Sequence, residues 1–65
     1  MTKKDYIEIS DAISSQYHAP REPSETVIFR EAITDVAYSL ILVFESDNPR
    51  FDRAKFLTAC GIVGA

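Results

Sequence analysis

The sequence predicts an all-α fold: a small three-helix domain built on a long central helix and expected to be oligomeric. Three observations predict it. Apolar residues recur at spacings of three and four in each of three segments, the period of a helix with one face turned to a core. Only two glycines occur in 65 residues that are 46 % hydrophobic, a composition that favours packed helices over loops or disorder. Prolines and turn-forming residues cluster at two places, His18 to Pro23 and Ser46 to Pro49, and divide the chain into three. The expected helices run over about 3–15, 25–45 and 53–60, within one domain of residues 1–65.

The first helix begins at Thr2, which is followed three residues later by Asp5, a capping-box spacing with an acid in the first turn. Tyr6, Ile9, Ile13 and Tyr17 then form its apolar stripe, with Ala12 alongside. From Gln16 to Pro23 the two prolines remove backbone donors and push their neighbours toward extended geometry, so a stiff connector is expected.

The central helix is expected to start at Ser24 as N-cap, with Glu25 just inside it. At about 100° per residue, Phe29, Ile33, Val36, Ala37, Leu40, Ile41 and Phe44 share one broad face. This face predicts the core. Ile28, Tyr38 and Leu42 fall on the back of the wheel, a surplus that one packed layer cannot bury. Ser46-Asp47-Asn48-Pro49 ends the helix.

The third helix carries its own start and stop. Asp52 is placed as N-cap, Phe51 and Phe56 stand at the N′ and N4 positions of a hydrophobic staple, and Gly61 follows as the left-handed C′ residue with Ile62 at C″ to meet Leu57.

Size and charge bound the function. A 65-residue chain buries only about 60 % of its surface and is marginal alone, so self-association or partner binding is expected. Net charge is −3, against the basic surface that phosphate neutralisation needs. A small basic end, Arg50, Arg53 and Lys55 against Asp52, follows an acidic body. The single cysteine, Cys60, rules out an internal disulfide framework and fits a reducing cytoplasm. Asp5, Glu8 and Asp11 interrupt any signal-peptide core. The run from Val36 to Phe44 is too short to span a bilayer, for which ~20 residues are needed.

The segment Asn48-Pro49-Arg50-Phe51-Asp52-Arg53-Ala54-Lys55-Phe56-Leu57-Thr58-Ala59-Cys60-Gly61, with the opening Thr2-Lys3-Lys4-Asp5-Tyr6, resembles a set of short proteins found mainly in bacteriophages and prophages. The resemblance covers the two ends of the chain. It implies a phage or prophage origin and carries no mechanism.

The residues offer no catalytic constellation. His18 lacks the spaced Cys, His or acidic partners of a metal site or catalytic pair. Cys60 stands at a helix C-terminus, the wrong end of the dipole for activating a thiol, and reads as a buried small hydrophobe. Glu31 and Asp35, four apart, read as a solvated pair with nothing nearby to raise a pKa. Arg50, Arg53 and Lys55 surround a helix start that could meet phosphate, but Asp52 already occupies the position an anion would take.

The expectation is therefore binding without catalysis, with no cofactor and no metal. The partner is a second copy of the chain (a homodimer or higher), a bacterial host or defence protein, or both, with no membrane role and nucleic acid disfavoured. Ile28, Glu31, Asp35, Tyr38 and Leu42 form the expected contact, an apolar patch with an acidic rim, and Arg50, Arg53 and Lys55 a possible second one. A nucleic-acid-binding or regulatory module using the basic end, and a self-assembling structural protein, are the alternatives.

Overall fold

The computed structural model describes residues 1–62, so residues 63–65 of the expected domain lie outside the description. Three helices account for 77 % of the described residues, and no strand occurs among them. They are α1 (Lys3–Tyr17), α2 (Pro23–Asp47) and α3 (Arg53–Cys60).

α1 starts as its sequence dictates. Thr2 N donates to Asp5 Oδ2 at 2.9 Å, and Asp5 N donates to Thr2 Oγ1 at 3.3 Å, so both members of the capping box are made. The helix runs two residues beyond the expected end. Gln16 and Tyr17 are helical and the connector shrinks to 18–22.

α2 begins differently from expectation. Ser24 is not the N-cap: Glu22 is, without a side-chain hydrogen bond, and Pro23 takes the first helical position. A proline there loses no intrahelical bond and arrives with helical φ already set, which outweighs the serine cap. Arginines then fasten the connector to the helix. Arg21 donates to Gln16 O at 2.6 Å while its guanidinium lies 4.3 Å from the centre of the Phe29 ring. Arg30 Nε donates to Tyr17 O at 3.1 Å, with its guanidinium over the Tyr17 ring.

α3 matches its sequence signals closely. Asp52 accepts from Lys55 N at 3.0 Å, and the stapling rings of Phe51 and Phe56 lie 5.6 Å apart. Gly61 has φ of 71°, and Ile62 N donates to Leu57 O at 3.2 Å, the long hydrogen bond of a Schellman turn. Glycine suits this left-handed φ, and a Cβ here would lie 2.5 Å from His18 Nε2, so the His18 ring would have to shift to admit one. That nitrogen is 3.1 Å from Gly61 O, which ties the end of α1 to the end of α3.

The core follows from how these helices stack. α3 packs mainly on α1, and α1 on α2. Tyr6, Phe44, Phe51 and Phe56 form an aromatic cluster joining all three helices, with ring centroids 5.0–5.6 Å apart in tilted and edge-to-face pairs, the arrangement that ring quadrupoles favour. Tyr17, Ala37, Ile41, Leu57, Cys60 and Ile62 complete the core. Ser10, absent from the expected stripe, is also buried, its hydroxyl satisfied by Ile7 O at 2.9 Å.

The broad core face expected of α2 is narrower in fact. Phe29 is 43 % and Val36 56 % exposed. At 1.5 Å per residue α2 is roughly 37 Å long, while α1 and α3 reach about 22 and 12 Å and both lie on one side of it. They cover the strip through Ile33, Ala37, Ile41 and Phe44 and cannot wrap further.

Candidate protein-binding surface

α2 carries most of the exposed apolar surface. Val27, Ile28, Phe29, Val36, Tyr38, Leu42 and Val43 are all between 41 and 67 % exposed. A scatter of single exposed apolar side chains is ordinary, but a contiguous set on one helix marks an interaction surface.

Two sides of the helix contribute. Ile28, Glu31, Asp35, Tyr38 and Leu42 are all exposed and follow one another at helical spacing along one side. Here two acids interrupt an apolar strip, and Glu31 and Asp35 also border a shallow groove with Tyr17, Val27, Arg30 and Thr34. Phe29, Val36 and Val43 lie on a second side, roughly 120° further round. The sequence reading assigned Phe29 and Val36 to the core; their seven-residue spacing was the available signal that they form a strip of their own.

The basic end does not act as one patch. Arg53 forms a two-pronged contact with Glu45, at 2.7 and 3.2 Å. That hydrogen bond lowers the Glu45 pKa and raises that of Arg53. The Glu45 contribution to stability is present above the ordinary carboxylate range and is lost as pH falls through its lowered value, although an exposed ion pair contributes little. Arg50 and Lys55 instead flank a groove of about 460 Å³ between α1 and α3, with Lys3, Tyr6 and Phe51 also on its walls and Asp52 among them. The Tyr6 hydroxyl is buried without a hydrogen-bond partner.

The remaining reactive groups have structural settings. Among the described residues no cluster of His, Cys, Asp and Glu could hold a metal ion. His18 bonds Gly61 O and packs edge-on against Tyr17 at 5.0 Å, a role its sequence position did not reveal. Cys60 is fully buried, and burial pushes its thiol from the ordinary 9.0 up to about 11. Because the folded value is the raised one, the protonated thiol favours the native state below pH 9, and this support is lost as pH rises toward 11. At pH 8 the thiolate fraction is about a hundredfold below that of a free thiol. Ellman's reagent should therefore react with native protein at least that much more slowly than with guanidinium-unfolded protein; equal rates would show that Cys60 is accessible.

No described helix is long and apolar enough to cross a membrane. Comparison with protein-family models, curated proteins and solved structures gives no significant match.

Proposed function

We propose that the protein is a binding module without catalytic activity, which docks another protein through the side of α2 formed by Ile28, Glu31, Asp35, Tyr38 and Leu42. The observation that carries this reading is the amount of apolar surface that α2 holds out of its own core. The acids within it specify a partner with an apolar groove or helix and basic side chains at its rim, since complementary charge fixes register and speeds encounter. On the resemblance of the two chain ends to short phage and prophage proteins, the proposed role is that of a small phage- or prophage-encoded accessory protein in the bacterial cytoplasm, modulating or inhibiting a host or defence factor.

Nucleic-acid binding through the basic end is the weaker alternative. Arg53 is occupied by Glu45 and Asp52 caps α3, so the cationic groups that would meet phosphate are partly committed.

The test compares wild type with Tyr38→Asp and Leu42→Asp in affinity capture from host lysate, with helix content checked by circular dichroism. Both side chains are exposed, so each variant should keep its helicity while the captured protein is lost. Retention of the same captured protein by both variants would place its docking site elsewhere, and loss of helicity on Leu42→Asp would return that residue to the core.

A further inference from the structure

The strip on the second side of α2 has an internal symmetry. Phe29, Val36 and Val43 recur every seven residues, and three residues after each comes a small side chain: Ala32, Ser39 and Ser46. All six are exposed. Large and small positions thus alternate along one straight edge, as the a and d positions of a heptad do.

We infer that α2 pairs with α2 of a second copy in a two-fold antiparallel homodimer, with Phe29, Val36 and Val43 of each copy lying over Ser46, Ser39 and Ala32 of the other. The register follows from the numbering. Residues 29 and 46, 36 and 39, and 43 and 32 share one midpoint, between residues 37 and 38. One two-fold axis there satisfies every layer, and each layer sets a large side chain against a small one. A parallel pair instead stacks Phe29 on Phe29 and Ser39 on Ser39, alternating overfilled and empty layers, which packed interfaces do not tolerate. Small residues opposite large ones also let the helix axes approach to the short end of the usual 8–10 Å.

Three further features fit this occupant. Ser39 Oγ already donates to Asp35 O at 3.0 Å, so its burial strands no hydroxyl. No charged residue stands in the layers between Phe29 and Ser46. At each end, Arg21, held over the Phe29 ring, comes near Ser46 of the second copy and its neighbour Asp47, so opposite charges meet at both rims.

The area suffices. Phe29, Val36 and Val43 supply about half of the apolar surface and the flanking Ile28 and Leu42 the rest, together on the order of 500 Å² per copy, so the pair reaches the ~1,000 Å² that a specific interface needs. Ile28 and Leu42 flank the seam and belong also to the host-docking side, so dimerisation and host docking compete for them, whereas Tyr38 lies outside the seam.

Light scattering and sedimentation on the full chain test the assembly, and engineered cysteines test its register. Wild type should be a dimer. Val36→Glu should keep its helicity and raise the dimer dissociation constant about a hundredfold or more, because it buries charges in the seam, whereas Tyr38→Asp should leave the dimer intact. Under oxidation, Ala32→Cys alone and Val43→Cys alone should stay uncrosslinked, while their mixture should give a disulfide-linked pair; native Cys60 is buried and takes no part. A monomeric wild type, or a dimer that Val36→Glu leaves unchanged, overturns the proposal. Crosslinking of Ala32→Cys with itself overturns the antiparallel register, and binding of the strip only by a different protein assigns it to another partner.

Discussion

Phe56→Ala should destabilise the domain by about 3–5 kcal/mol, the usual loss for truncating a buried aromatic. Phe56 is almost fully buried, meets Phe44 edge-to-face at 5.4 Å and closes the staple with Phe51. Its removal therefore opens a void where α3 meets α2 and frees the entry of α3 as well. A domain of this size has a total stability of roughly 3–10 kcal/mol, so the variant should be largely unfolded at room temperature. Chemical denaturation followed by circular dichroism measures this. A midpoint equal to wild type would mean that the staple is dispensable and that the Asn48 to Gly61 segment is held for another reason.

The second large effect is expected at Ile41, and it is best read against Val36. Both stand on the apolar face that periodicity assigns to α2. Ile41 has no exposed surface, while Val36 is more than half exposed. Ile41→Ala should cost about 2–5 kcal/mol through lost burial and the cavity left behind. Val36→Ala, measured at concentrations where the chain is monomeric, should stay within about 0.5 kcal/mol. Similar losses at the two positions would mean that the covered strip of α2 is wider than described.

Local signals were read from the chain almost without loss, because each is a relation between residues a few positions apart. The Thr2 and Asp5 capping box, the Asp52 cap, the Phe51 and Phe56 staple and the left-handed Gly61 all rest on hydrogen bonds or contacts within one turn, and short-range chemistry decides them. The start of α2 was misplaced for a reason of the same kind. Two local preferences competed there, and Pro23 in the first turn prevailed over Ser24 as cap. The roles of Arg21, Arg30 and His18 were not legible. Arg30 and His18 reach Tyr17 and Gly61 only because helices meet, and Arg21 reaches Phe29 only because the connector folds back along α2.

The candidate surfaces divide in the same way. Sequence alone determined that the chain is three helices, that Ile41 faces inward, and that Ile28, Tyr38 and Leu42 are more apolar surface than one layer can hide, since helical periodicity fixes the direction of each side chain from its own axis. It could not determine how far the neighbours reach around that axis. Only the tertiary structure decided this, by setting the two shorter helices α1 and α3 on one side of α2, so that Phe29, Val36 and Val43 are left outside the core they resemble.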